Sequence, residues 1–569
     1  MSQSDVTPVD AAEIGSWDET ADVVVVGFGA AGSTAAFSAS EAGAEVLVTE
    51  RSGGPGGAAA LAEGIVYLGG GTPIQRACGF EDSLDDMYRY MMAACGPDPD
   101  EAKIARYCAE SLGHFDWLEA RGVPFDPTFC AETSMAPTGT EGLVYSGGED
   151  AYPFNEVARP APRGHLAKTK RSTGWLLMQH LAAAATEAGA AVSSDTRVDR
   201  LVVEDERVVG VQAQRFGETV SLRARRGVVL TAGGFIFNDD MLRQHCPPLA
   251  RGTFKVGTEG DDGRAIRMAQ AIGASVRNMY AGEVSLPITP PRGLIQGILV
   301  NGKGQRFINE DTYMGRVGQS ALYEQDGEVY LLVDEDSYEV NWMGLAATWV
   351  CETPEQLEDE MGLPAGSLRS TLDLYNRHAA QGEDPLFHKG PAWVRPLVPP
   401  IGAVDLRIGP APYAPFTLGG LETTVDGAVL DVSGQAIPGL FAAGRTTAGV
   451  CSFGYASGLS IGDSTMFGRF AGASAAASIP SERSAAYSMT RVITVSSDLW
   501  TAPLSKGGCG SYSIISCAAC PAVRSTSSST RRNAMSMPLE TPAAVMMRRS
   551  RCSMTRVALG SAPCAASSR

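Results

Sequence analysis

The chain has 569 residues, 44% of them apolar and 19% charged, with a formal net charge of −18. That length exceeds what one hydrophobic core supports and predicts two or three domains, and no apolar run approaches the roughly eighteen residues of a membrane-spanning helix. Residues 481–569 hold 11 Lys and Arg against 3 Asp and Glu, leaving 35 against 61 in the preceding 480, so the strongly acidic body is not expected to bind nucleic acid.

Residues 1–20 are acidic and polar and lack the basic and apolar regions of a secretory signal, which makes the cytoplasm the expected location. Residues 21–26 predict a buried strand that runs into Gly27-Phe28-Gly29-Ala30-Ala31-Gly32 and then a small-residue helix stopping at Gly43. A second strand, 45–49, closes on Glu50 and Arg51. Strand, glycine turn, helix, strand and acid in this order form the dinucleotide-binding fingerprint. The glycines permit a tight turn and close backbone approach, the helix N-terminus offers amides to phosphates, and Glu50 sits where an acid takes ribose hydroxyls.

Gly53-Gly54-Pro55-Gly56-Gly57-Ala58-Ala59 follows at once, a run without bulk that lets backbone lie against an extended ligand. This arrangement resembles the FAD-binding flavoproteins of the fumarate reductase and 3-ketosteroid dehydrogenase superfamily. The resemblance covers about residues 20–478. It implies an α/β fold, a Rossmann-like FAD-binding domain of the glutathione-reductase type in two parts (18–278 and 401–478) with an α+β cap domain (279–400) inserted between them, and FAD held non-covalently.

Further along, residues 84–95, 101–121 and 173–189 read as helices, the first with Ser83 and Asp86 spaced as in a capping box. Residues 191–193, 198–204, 207–215 and 219–223 alternate apolar and polar side chains like a β-meander. Residues 226–230 then form a hydrophobic strand that breaks on Ala232-Gly233-Gly234, which the resemblance places near the adenosine half of FAD. Gly260-Asp261-Asp262-Gly263 opens a helix over 264–272 ending at Gly273, and the resemblance gives Asp262 to the cofactor. Residues 298–310 predict strand, turn and strand, resembling the start of the cap. Residues 438–444 read as a strand and glycine turn whose Gly444 and Arg445 resemble the part of the family's site that reaches the flavin ribityl and phosphate. Gly458 leads into a helix that begins at Ser460 and Ile461 and ends near 468–472, its N-terminus directed at the flavin pyrimidine ring.

The residues at the reacting end distinguish members of this superfamily. Fumarate reductases carry a His before the paired glycines of the late loop and arginines that clamp a dicarboxylate; here Phe416 and Tyr455 occupy two of those places, and an unpaired dianion would be costly to desolvate. A neutral, lipophilic ketone fits better. Tyr313 matches the tyrosine that follows the Arg-Phe-x-Asn-Glu motif of 3-ketosteroid dehydrogenases, and Tyr455-Ala456-Ser457-Gly458 looks like the loop of the 3-oxo-5α-steroid 4-dehydrogenases. The expected reaction introduces a 4-ene beside a 3-oxo group, with FAD accepting the β hydride. Removal of the carbon-4 proton needs a base, expected to be Tyr455 with Ser457 assisting, while Tyr313 is the second member, relaying the proton or holding the 3-oxo group, and Gly458 and Phe416 belong to the substrate and oxyanion site; the sequence leaves the division of roles between the two tyrosines open. A quinone is the expected electron acceptor, and an enoate reductase of the fumarate reductase type, or a non-catalytic FAD-binding product, is the alternative. Tyr88, Tyr90, Tyr152 and His165 are further pocket candidates, no metal site is evident, and residues 479–569 read as a disordered or aberrant tail, with Cys517 and Cys520 spaced by chance.

Overall fold

The computed structural model of the chain describes residues 6–131, 137, 139–170 and 173–480, so the tail expectation, from residue 481 onward, lies outside the described residues. Val23, Val24 and Val25 are fully buried in the strand Glu19–Val26. An unbroken apolar run of this kind marks a strand covered on both faces. It lies within a nine-stranded sheet, parallel to Val46–Thr49 on one side and Glu218–Leu230 on the other. Ala436–Ala442 continues the parallel part, and so does Ala191–Ser193, expected as the first strand of the meander but paired instead with Val46–Thr49; Thr196–Glu204, Arg207–Arg215 and the first half of Glu218–Leu230 form the antiparallel meander.

The meander's last strand differs from the sequence expectation. Residues 219–223 and 226–230 are one thirteen-residue strand, with an irregularity between Ala224 and Gly227 where it meets Glu19–Val26. The basic interruption does not end the ladder because Arg225 pairs with Asp22 at 2.9 Å and Glu45 at 2.6 Å, acids on and beside the neighbouring strands.

Side chains alternate across a strand. Val23 and Val25 therefore enter one core with the helices Ala30–Glu41, Glu101–Ala120, Thr173–Glu187 and Leu459–Ala477, while Val24 and Val26 enter another with the helix Arg264–Gln270. Ala30–Glu41 and Leu459–Ala477 meet backbone to backbone: a Cβ on Gly468 would lie 2.5 Å from the Ala31 carbonyl oxygen, and one on Gly472 2.1 Å from that of Ala35. Those glycines are contact positions rather than stops, which is why the last helix runs on to Ala477 instead of ending near them.

Between the two parts of this sheet, the strand pairs Val276–Arg277 with Gly420–Leu421 and Gly282–Ser285 with Ala414–Thr417 bracket an insertion. Its own antiparallel sheet runs Ile298–Asn301, Val329–Asp334, Ile401–Asp405, Ala347–Cys351, with Pro354–Met361 and Ser367–Ala379 contributing to its core. Ile401–Asp405, assigned from sequence to the second FAD segment, is an inner strand of this sheet. The hairpin expected over 298–310 is reduced to one bridge between Val300 and Arg306. Arg306 turns inward instead, pairing with Glu310 at 2.8 Å and Asp384 at 2.9 Å, and Lys389 reaches Glu310 at 2.8 Å. Burial alone would raise the Glu310 carboxyl, but the Arg306 and Lys389 charges hold it below its ordinary value. This buried network fixes the segment that leads to Tyr313. No helix among the described residues is long and apolar enough to cross a membrane.

Candidate active site

Gly27, at φ +99°, turns the chain out of Glu19–Val26; a Cβ there would lie 2.7 Å from the Thr231 carbonyl oxygen, and one on Gly32 only 1.9 Å from that of Gly27. Bare backbone thus brings two strand ends against the N-terminus of Ala30–Glu41. Gly27, Gly29, Ala30 and Ala31 face a cavity of about 1050 Å³. Glu50 lines it too, held by the Phe28 amide at 2.9 Å and by the Ser52 amide and hydroxyl at 2.8 Å. Gly57, Ala58 and Ala59 come from the short helix Gly57–Leu61, and Ala232, Gly233, Gly444, Ser460 and Ile461 also line the cavity.

Three of the expected cofactor positions stand behind this lining. Gly32 packs against Gly27, the Gly56 amide donates to the Phe28 carbonyl, and the Gly234 amide donates to Asp261. Asp261, rather than the expected Asp262, also accepts from the Thr258 amide at 2.8 Å and from Arg445 at 2.9 Å. Asp262 pairs with Arg51 at 3.2 Å. Two adjacent acids in a Gly-Asp-Asp-Gly turn carry no sequence signal for which one turns inward. The cations lining the cavity are Arg51, Arg197, Arg264 and Arg445, and each has an acid partner: Asp262, Asp199, Asp199 and Asp261.

The reacting end is built from side chains. Gly458, at φ +99°, starts the helix Leu459–Ala477; the Ser457 amide donates to the Ser146 carbonyl at 2.9 Å and the Gly458 carbonyl accepts from the Tyr67 amide at 3.2 Å. Pinned in this way, the loop presents Tyr455, Ser457 and Gly458 to the cavity. The Tyr455 hydroxyl accepts the Ser460 amide at 3.1 Å, and its ring meets the edge of Phe416 with centroids 5.2 Å apart. Ser457 Oγ is hydrogen-bonded to the Tyr313 hydroxyl at 2.9 Å, so the serine expected to assist Tyr455 is joined to the other tyrosine. Burial pushes both phenols above their usual range.

Glu283, absent from the sequence expectations, completes this end. Its Oε1 accepts from Tyr313 at 3.2 Å and from Ser285 Oγ at 2.8 Å. It is 1% exposed, and burial pushes its carboxyl up to about 7. The available signal was one acid in the otherwise uncharged stretch 281–287, which contains the strand Gly282–Ser285. The other candidates lie elsewhere. Tyr88 bonds Glu101 and Tyr90 the Gly147 carbonyl, Tyr152 packs on His388, and His165, pushed down to about 4 by burial, bridges Thr72 and the Arg163 carbonyl.

The cavity lies at the upper end of the volumes of cofactor and ligand sites. Its two parts, a glycine and alanine cradle at two helix N-termini and an aromatic, hydroxyl-lined end, fit FAD and an apolar substrate. A family described as FAD binding domain matches residues 22–460. Among solved structures, the chain is similar to a 3-ketosteroid-Δ4-(5α)-dehydrogenase from Rhodococcus jostii RHA1 in complex with 4-androstene-3,17-dione, at 50% identity and a TM-score of 0.80, covering 83% of this chain and 100% of that one. Among curated proteins, it is 28% identical over 508 residues to the 3-oxo-5-alpha-steroid 4-dehydrogenase of Comamonas testosteroni, covering 77% of this chain and 95% of that protein. It is also 28% identical over 477 residues to a probable fumarate reductase, Ifc3, of Shewanella frigidimarina, covering 80% and 75%.

Proposed function

From the premise that the chain belongs to the FAD binding domain family and is a flavin-dependent oxidoreductase, we propose that it dehydrogenates a 3-ketosteroid, introducing a 4-ene beside the 3-oxo group. The observation that carries this reading is the reacting end of the cavity: Phe416, Tyr455, Tyr313 and Ser457 around an apolar space, with every lining arginine already paired to an acid. A dicarboxylate would find no unpaired cation among the described lining residues, and its desolvation would go uncompensated.

FAD supplies the acceptor for the β hydride when bound. The residues that would hold it are the backbone of Gly27, Gly29, Ala30 and Ala31, the Glu50 carboxylate, the strip Gly57 to Ala59, Ala232 and Gly233, and Gly444, Ser460 and Ile461. Arg51 with Asp262, and Arg445 with Asp261, brace that end as ion pairs.

The hydrogen-bond pattern divides the work among the hydroxyls. Tyr455 accepts the Ser460 amide, which leaves its own proton free for the 3-oxo oxygen, and burial keeps the phenol protonated. We therefore assign Tyr455 to polarise the carbonyl, assisted by backbone near Gly458, and the Ser457–Tyr313 pair to take the carbon-4 proton. Phe416 packs Tyr455 in place and gives the steroid an apolar wall.

Three broader readings belong to the same proposal. The cap runs from residue 279 to the neighbourhood of Leu421, within an FAD-binding domain otherwise spanning 18–478; the electrons pass to a quinone; and the protein works in the cytoplasm. The deciding experiment is an anaerobic titration of the FAD-loaded protein with 5α-androstane-3,17-dione. Bleaching of the oxidised flavin band with formation of the 4-ene product is expected. No bleaching, together with reoxidation of chemically reduced protein by fumarate, would replace the steroid reading with the enoate reductase.

A further inference from the structure

We infer that the proton taken from the substrate's α carbon ends on Glu283, carried there through Ser457 and Tyr313. This rests on the dehydrogenase reading above. A side-chain oxygen can hold an abstracted proton at neutral pH only if it starts as an anion, and burial holds both tyrosines in their neutral, protonated form. Glu283 is an ionisable carboxyl hydrogen-bonded to one of them, Tyr313. It faces Tyr313, Tyr455 and Cys451 as titratable groups and Ser285 as a hydroxyl donor, with no ion pair to it among the described residues. Its Oε2 is buried and has no hydrogen-bond partner.

The proton order follows from counting donors. Tyr313 has one hydroxyl proton, and when that proton is directed at Glu283 Oε1 the phenol oxygen accepts from Ser457 Oγ. The lone pairs of Ser457 are then left for the cavity. When the carbon–hydrogen bond breaks, its proton passes to Ser457, that of Ser457 to Tyr313 and that of Tyr313 to Glu283. The electron pair stays on the substrate and forms the new double bond, the β hydrogen leaving as the hydride that FAD would accept. Charge begins on the carboxylate and no tyrosinate accumulates.

The test is the rate of anaerobic flavin bleaching by 5α-androstane-3,17-dione as a function of pH, in the wild type and in Glu283→Gln and Glu283→Asp. The wild-type rate is expected to rise with pH through the neutral range, because the acceptor must be ionised. Glu283→Gln should lose about 10²–10⁴-fold together with that inflection, while keeping its flavin spectrum and the spectral change on ligand binding. Glu283→Asp should restore the inflection. A Gln variant with wild-type rate and profile would overturn the inference, and so would a wild-type rate flat from pH 6 to 9, whatever the variants do. A readout without turnover is the infrared absorption of protonated carboxyls in the oxidised, substrate-free protein, in which one component titrating near neutrality should be lost in Glu283→Gln while that of Glu149 remains. If wild-type protein is not bleached at any pH but the band behaves as stated, the steroid reading fails and the titration of Glu283 stands; if the band is unchanged by the substitution, the proton path fails by itself.

Discussion

The two ends of the cavity are made from different materials. The cofactor end is largely backbone, glycine and alanine, brought together where strands end and helices begin, with little room for added side chains. The reacting end is made of side chains, Glu283, Tyr313, Phe416, Tyr455 and Ser457, delivered by four separate segments and joined by hydrogen bonds or ring contacts. At the first end a substitution changes whether the ligand and the fold exist; at the second it changes where one proton sits while the scaffold persists.

The largest effect is expected at the first end. In Gly32→Val the new Cβ would come within 1.9 Å of the Gly27 carbonyl oxygen and 2.9 Å of the Thr231 hydroxyl, contacts that only backbone movement relieves. The variant should be insoluble or colourless, as read from flavin absorbance per mole of purified protein. A soluble, fully yellow Gly32→Val would show that the turn can open, and the contrast between the two ends would lose its physical basis.

Next in size is Tyr455→Phe. Removing one donor to a developing oxyanion costs about 10²–10³-fold in kcat, with FAD content unchanged. Rapid-mixing measurement of flavin bleaching checks this. A rate within threefold of wild type would mean that backbone amides alone polarise the carbonyl. The further contrast is with Tyr313→Phe, which cuts the bond to Ser457 and the bond to Glu283 together and should flatten the pH profile as well as lower the rate.

The first end was legible in the sequence because its parts are local. Gly27 to Gly32, Glu50 and the strip after Gly53 are contiguous motifs whose meaning depends on the strand and helix beside them, and those elements form where expected. The second end was legible only as residue types. Tyr455 and Ser457 are two positions apart, which suggested a partnership, yet the loop sends Ser457 to Tyr313, 144 residues away in sequence. Glu283 could not be ranked above other acids until the strand Gly282–Ser285 paired with Ala414–Thr417 and buried it opposite Phe416. Arg225 and Arg226 made one strand look like two, since only the fold shows Asp22 and Glu45 waiting for that charge.

The smallest effect tests the support behind the reacting end. Glu149 lies in the segment on which Tyr313 and Ala456 rest; its Oε2 accepts the Gly147 amide at 2.8 Å, and its Oε1 is buried without a partner. Arg163 is close enough to pull its carboxyl down but is already bonded to Asp82 at 2.7 Å, and burial wins, pushing Glu149 up to about 7. A carboxyl raised on folding binds its proton more tightly in the folded state, so its stabilising contribution is complete below the ordinary carboxylate range and is lost as pH rises through about 7. Glu149→Gln keeps the acceptor for the Gly147 amide and removes the buried charge. Its melting temperature should match wild type near pH 5 and exceed it by a few degrees at pH 8, a gain of about 1–3 kcal/mol. Thermal unfolding of both proteins across that range checks it. A loss of stability at pH 8 would instead show that Arg163 depends on Glu149 as well as on Asp82, making the floor of the reacting end an ionic network whose charge cannot be removed without cost.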